Sequence, residues 1–361
     1  AQSGGAWHST IAEAENLADA AEPGDPNSSG EVLLRLLVQE GLATDRTSAL
    51  ARAEAMPAAE LAGFLRGIPA ERLLPAYDGN GAGMYSCPRV FREGTVIPTE
   101  PLGELLGRED GHRGVPVMLG SNRDEQKLFF FGDPDRVRRW FGLIPQARDA
   151  DAYDRDAAYR SRAWKVSGVD DPARALVTNQ PGRVFAYRFD WDEEPTVLWA
   201  DLGRLLGAAH GLEIPFVFGH WELGPTGRAL FDADNEPGRE ALSAMMRSYW
   251  AEFAYFGDPG QGRDGTLPHW SAWQEDGDRY VVLDTPAGGG VRMASESETL
   301  DALAAEILGD DSFASERARC AELAELTTST HERFGPAEYR AAGNARCAPF
   351  APEELLAADG G

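Results

Sequence analysis

VPVMLGSNRDE at residues 115–125 and GAAHGLEIPFVF at residues 207–218 are the two stretches on which the reading of this chain turns. The opening VPVML is a short, nearly continuous apolar run, as expected of a strand buried on both faces of a parallel sheet. The polar GSNRDE that follows reads as the loop leaving that strand. A second apolar run, VFAYRF at 184–189, precedes the histidine-bearing stretch, and YVVL at 280–283 supplies a short last strand. Between the first two runs, residues 126–174 hold helix-like segments and aromatic residues without strand alternation, which suits a cap-like insertion. LSAMMRSYWAEFAYF at 242–256 has helical spacing and stops at Gly257-Asp258-Pro259, a glycine and a proline placed directly after the last periodic residue. Strands separated by helical segments predict an α/β fold with a central, mostly parallel sheet flanked by helices.

The remainder is less patterned. Residues 31–40, EVLLRLLVQE, predict a helix closed by Gly41, and residues 49–66 predict a second helical stretch broken at Pro57. Residues 75–101 are dense in glycine and proline and read as a long surface excursion. Residues 299–361 read as terminal helices with a polar, alanine-rich surface. The chain shows no internal repeat and no low-complexity segment.

Composition excludes several classes of function. With 361 residues, 43% of them hydrophobic, the chain can bury a substantial core. Formal net charge is −25, and only Lys127 and Lys165 among the 34 basic residues are lysine, a balance that repels phosphate backbones and argues against a nucleic-acid partner. No apolar run is long enough to cross a bilayer as a helix. The three cysteines, Cys87, Cys320 and Cys347, form no C-x-x-C motif and no His/Cys ladder, so no metal site is expected. Cys320 and Cys347 could pair in an oxidising compartment, leaving Cys87 over; an odd set of buried thiols is the preferred reading.

A nucleophilic hydrolase needs a serine, a histidine that takes its proton, and a carboxylate that fixes the histidine tautomer. In α/β-hydrolases these follow the chain order serine, acid, histidine, with the acid and the histidine in loops after successive sheet strands. Glu125 and His210 fit that order and placement. The residue beside the acid, Asp124, reads as an alternative acid or as a residue that orients the loop through backbone hydrogen bonds. His8, His112, His220, His269 and His331 lack a comparable context and read as surface or packing residues.

Five segments in order carry a resemblance to the type B carboxylesterase and cholinesterase-like family: AQSGG at 1–5, GTVIP at 94–98, GSNRDE at 120–125, AHGLEIPFVF at 209–218 and MMRSYWAEFAYFGDP at 245–259. The resemblance implies an α/β-hydrolase fold, ester hydrolysis through an acyl-enzyme, no cofactor, Glu125 as the triad acid and His210 as its base. It also implies that Ser3 is a supporting group whose hydroxyl contacts Glu125. Phe129 and Phe130, just past the acid loop, are candidates for a substrate pocket, with core packing as the plainer reading.

The chain departs from the family pattern in one decisive respect. The family's serine stands in a G-x-S-x-G turn, and no serine here has glycine at both flanking positions. Ser3 sits in A-x-S-x-G with too little chain before it to form the required strand. The sequence, which opens at Ala1, therefore reads as the C-terminal part of a hydrolase domain over residues 1–361, with its nucleophile elsewhere, in cis or in trans. On that reading the partner is a small-molecule ester, the chain alone is inactive, and its sheet keeps an open edge that disfavours independent folding. A monomeric 361-residue chain with a cooperative thermal melt would contradict that last expectation.

Overall fold

In VFAYRF every second side chain points the same way, and the structure uses both sets. Residues 2, 26–77, 94–329 and 334–359 are described by a computed structural model. Among them eight strands form: β1 Val117–Asn122, β2 Val137–Trp140, β3 Ile144–Ala147, β4 Val184–Phe189, β5 Thr196–Val197, β6 Ala200–Asp201, β7 Tyr280–Leu283 and β8 Arg292–Ala294. The main sheet has the order β1-β4-β7-β8. Its β1–β4 and β4–β7 pairs are parallel and its β7–β8 pair is antiparallel, so the expected α/β architecture with a mostly parallel sheet is what the chain adopts.

Both faces of this sheet are buried, which is why its strands are apolar almost throughout. On one face Phe185, Tyr187, Phe189, Val281 and Leu283 join a large core with Met246, Tyr249 and Trp270. The helix Glu236–Phe256 lies over it, with Trp250 edge-on to Tyr187 and Phe253 edge-on to Phe185. This helix ends at Gly257, whose φ of 74° is the left-handed closure read from the sequence. On the opposite face Leu119, Val184, Ala186, Tyr280 and Val282 pack with Val169, Ala173 and Leu176, from the π-turn Val166–Asp170 and the helix Asp171–Val177.

Residues 126–174 differ from the expectation of no strand pattern. Besides the helices Lys127–Gly132 and Ala150–Lys165, they contain the antiparallel ribbon β2–β3, in which Val137 pairs with Ala147 and Trp140 with Ile144. Four-residue strands joined by a turn are too short for period-two alternation to stand out. Three residues, Phe141 to Leu143, separate the paired Trp140 and Ile144, and Phe141 and Gly142 among them both have positive φ.

Helices Leu300–Gly309, Glu316–Ser329, Pro336–Cys347 and Pro352–Asp359 follow the sheet and share a second core with Tyr159, Ala163 and Val166 of the helix Ala150–Lys165. Cys320 and Cys347 are joined by a disulfide in this core, which corrects the reading of both as free thiols. A bridge over a sequence separation of 27 stabilises by about 3–4 kcal/mol on a chain-entropy account. Cys87 lies outside the described residues.

By its contacts the chain divides into two compact units, one of residues 1–6 and 101–361 and the other of residues 7–100. Within the second, Leu33, Leu34, Leu37, Ala49 and Ala53 form a small core between the helices Ser29–Gln39 and Arg46–Ala55. Ser28 and Asp45 cap these helices by accepting from backbone N–H groups of their first turns. Pro57 separates the second helix from the helix Ala58–Gly67. Most of the glycine- and proline-rich stretch at 75–101 lies outside the described residues.

Gly120 is where the sheet is least forgiving. It pairs with Tyr187 across β1 and β4, and a Cβ added there would come within 2.0 Å of the tyrosine ring, which is itself fully buried. Gly120→Ala is therefore expected to cost about 1–3 kcal/mol by overpacking. Urea unfolding followed by far-UV circular dichroism measures this; an unchanged midpoint would mean that Tyr187 has room to move and would contradict the packing described.

Candidate active site

β1 and β4 run parallel and end side by side, Asn122 level with Phe189, so the loops that leave them emerge at the same end of the sheet. The acid loop turns directly after Asn122. Its backbone is pinned at Arg123, whose N–H bonds the Phe189 carbonyl at 2.8 Å, and at Asp124, whose N–H bonds the Ala208 carbonyl at 3.0 Å. The Asp124 side chain returns the contact by accepting from Ala208 N at 3.2 Å, while Arg123 and Lys127 hold it from two sides at 2.8 and 3.1 Å. Asp124 thus joins the acid loop to the histidine loop. Gly207 makes this fit possible: its φ is 50°, and a Cβ there would stand 2.7 Å from an Asp124 carboxylate oxygen.

The two loops bring Glu125 and His210 together. Glu125 is fully buried, accepts from Asn122 N through Oε1 at 2.7 Å, and meets His210 Nδ1 through Oε2 at 2.7 Å. A carboxylate only accepts hydrogen bonds, so the imidazole proton sits on Nδ1 and Nε2 keeps its lone pair. The histidine side chain is 23% exposed, and among the described residues nothing hydrogen-bonds Nε2, the nitrogen that can act as a base. Among the described residues no serine hydroxyl bonds to it. Ser3 lies outside the described residues.

Asn122 adds a second tie that the sequence did not single out. Its Nδ2 donates to the Ala209 carbonyl at 2.8 Å and to Glu213 Oε2 at 2.6 Å, holding the residue before His210 and the first turn of the helix Glu213–Phe218. Burial raises the pKa of Glu213 above the usual glutamate value; the Asn122 bond opposes this, and the charge of Glu125 reinforces it. Both Asn122 and Glu213 stand inside the quoted motifs; Glu213, a lone charge in the apolar LEIPFVF, was the available signal, whereas Asn122 is one polar residue among several in GSNRDE.

An aromatic wall closes over the imidazole. Phe129 lies 5.6 Å from the His210 ring and Trp164 5.1 Å from it, centroid to centroid, and the two stack on each other at 6.0 Å. Phe129 is therefore beside the histidine, as a pocket residue would be. Phe130 is not: one helical step turns it into the core, edge-on to Tyr153 with the Arg136 guanidinium over its face. The expectation that Phe130 lines a pocket is corrected accordingly. Trp164 was missed because it lies 39 positions from Glu125 in sequence, and only the packing of the helix Ala150–Lys165 delivers it. That helix is fastened to the site by Ser161, which accepts from Gln126 N at 3.1 Å, and by Tyr153, which donates to the Leu205 carbonyl at 2.7 Å.

Opposing influences act on the His210 pKa. Burial disfavours the imidazolium, but the hydrogen bond and charge of Glu125, together with the charge of Glu213, outweigh it and raise the value above 6.5. Because the folded value lies above the unfolded one, the pair adds stability below pH 6.5 that is lost as pH rises through the folded value. Glu125→Gln removes the larger favourable contribution and leaves burial in place. The His210 pKa is expected to fall, as followed by NMR titration of its imidazole Cε1 proton; an unchanged pKa would show that Glu125 does not control the ring.

Comparisons with known proteins agree with this region of the chain. Residues 161–300 match the model of the Carboxylesterase family. The para-nitrobenzyl esterase of Bacillus subtilis (strain 168) is 28% identical over 201 residues, covering 53% of this chain and 38% of that protein. The acetylcholinesterase of Gallus gallus is 36% identical over 104 residues, or 28% of this chain and 12% of the enzyme. Neuroligin-3 of Homo sapiens is 27% identical over 203 residues, or 46% of this chain and 23% of that protein. A solved structure titled PNB esterase aligns over 82% of this chain and 55% of its own, with 23% identity and a TM-score of 0.44. The chain thus spans well under half the length of these curated relatives. Residues 161–300, which carry the histidine loop, are thus similar to the Carboxylesterase family.

Proposed function

We propose that this chain contributes the acid and the base of a serine carboxylesterase: a Ser–Glu–His triad in which Glu125 and His210 are supplied here and the serine by polypeptide outside this sequence, in cis or in trans. The observation that carries the proposal is the 2.7 Å contact between His210 Nδ1 and a fully buried Glu125 carboxylate, which leaves the Nε2 lone pair available. A buried acid that fixes the tautomer of a part-exposed histidine is the arrangement general-base catalysis needs.

In the proposed reaction His210 Nε2 takes the serine proton as the hydroxyl attacks the ester carbonyl. The imidazolium, stabilised by Glu125, then returns that proton to the departing alcohol, leaving an acyl-enzyme that water clears by the same steps in reverse roles. Ser3 would support Glu125. Residues 126–174 would act as the cap-like insertion, their Phe129 and Trp164 excluding water from the imidazole and facing the substrate. An oxyanion hole is required from outside this sequence, and without it and the serine the chain alone would be inactive. The reading calls for no metal or organic cofactor. A non-catalytic binding role is the alternative, and it leaves the buried Glu125–His210 pair without a purpose.

The test is the intact mass of the native protein with and without a fluorophosphonate probe for activated serines. One probe is expected on a species that contains this chain and exceeds its 39.1 kDa, or on a second chain that purifies with it. His210→Ala is expected to slow labelling by at least about a thousandfold. No labelled serine on any species containing this chain, or labelling indifferent to His210→Ala, would overturn the proposal and favour the binding role.

A further inference from the structure

The ribbon β2–β3 has a composition unlike the rest of this chain. Residues 137–148, VRRWFGLIPQAR, hold three arginines and no acid in a protein of net charge −25. Its turn presents Trp140, Phe141 and Leu143 to solvent at 43%, 86% and 79% exposure, all adjoining one another in sequence. Arg138 and Trp140 both donate to Gln146 Oε1, and Arg138 also lies over the Trp140 ring at 4.8 Å. Arg139 donates to the Phe131 carbonyl and lies over the Phe131 ring. Arg148 donates to the Pro134 carbonyl. Among the described residues none of these three guanidiniums is paired with a carboxylate, whereas Arg136 just before them is paired with both Asp133 and Asp156.

We propose that this ribbon docks the protein on an anionic phospholipid surface, the tip Trp140-Phe141-Gly142-Leu143 entering the headgroup region while Arg138 and Arg139 meet lipid phosphates. Three features favour lipid over a protein partner. A four-residue apolar tip is far smaller than the roughly 800 Å² per partner that a stable protein interface needs, yet a tip is all that an interfacial anchor requires. Tryptophan and arginine side by side suit the membrane–water boundary, where an indole sits at headgroup level and basic groups are drawn to acidic lipid. The charges are also placed for it: Asp133, Asp135 and Asp149 lie at the ribbon's foot beyond the Val137–Ala147 pair. The tip stands about 10 Å further out at strand rise, past the ~8 Å screening length of physiological salt. The overall acidity of the chain therefore does not cancel the local attraction.

The ribbon is built onto the candidate site. Phe131, beneath Arg139, and Phe129, against His210, belong to one short helix, so a docked ribbon would hold the histidine close to the lipid surface. The proposal does not depend on ester hydrolysis, and its test measures none.

The experiment is flotation of the native protein that contains this chain, with vesicles of phosphatidylcholine alone or with about a third phosphatidylglycerol as the anionic probe. Binding is expected to the phosphatidylglycerol vesicles only and to weaken with added salt. Each of Arg138→Gln and Arg139→Gln is expected to lower the partition coefficient about fivefold, and Trp140→Ser with Phe141→Ser at least as much. These side chains are exposed, so the variants are expected to keep the far-UV circular dichroism and melting temperature of the parent, which are recorded alongside. Absence of binding to phosphatidylglycerol vesicles, or binding that survives all four substitutions, overturns the proposal. So does self-association that the tip substitutions abolish in the absence of lipid, which would assign the patch to a second copy of the chain.

Discussion

The register of β1 on β4 is the constraint from which the site follows. Parallel pairing places Asn122 level with Phe189, and the hydrogen bond from Arg123 N to the Phe189 carbonyl extends that register one residue into the loop. A slip of one residue would turn Asn122 to the opposite face, because side chains alternate along a strand, and would displace the loop that carries Glu125. Gly120 favours the observed register by accepting the Tyr187 ring where a Cβ would collide with it. The charge arrangement then follows: Glu125 meets His210, Asn122 reaches Ala209 and Glu213, and Asp124 closes on Ala208.

The sheet was legible wherever burial on both faces made a strand apolar without interruption. VFAYRF and YVVL became strands with the bounds read from sequence, and VPVML gave a strand that begins at Val117 and runs on through the polar Ser121 and Asn122. The acid and histidine loops were legible because glycines, a charged string and a histidine between small residues are unusual beside such strands. Their meeting across 85 positions was inferred from chain order and is visible only in the fold. Long-range packing accounts for what escaped. Trp164 reaches the imidazole through the helix Ala150–Lys165, and Phe130 and Phe129 differ in role by one helical step. The disulfide depends on two helices that sequence spacing alone does not bring together.

Arginine does much of the joining in this acidic chain. Arg162 binds Glu298 and Glu306, and Arg160 binds Glu322 and Glu325, so the helix Ala150–Lys165 is tied to the helices that follow the sheet. The Arg160–Glu322 contact is almost wholly buried, and burial pushes the Glu322 carboxyl up to about 7 even against the opposing guanidinium. Such a pair adds little net stability over apolar packing, but losing one partner strands the other charge in the core. Its effect is to fix the position of the helix that carries Trp164.

That position has a consequence in time. Arg160 and Glu322 are 162 residues apart, so the helix behind Trp164 gains its last neighbours only after the strands β4 and β7 have been made. Glu125 and His210 can meet once the histidine loop has followed β4, whereas the ties from Arg160 and Arg162 wait for the last helices to emerge and pack. During synthesis the residues of the site and its wall are thus all present before the ion pairs that fix the wall helix can form.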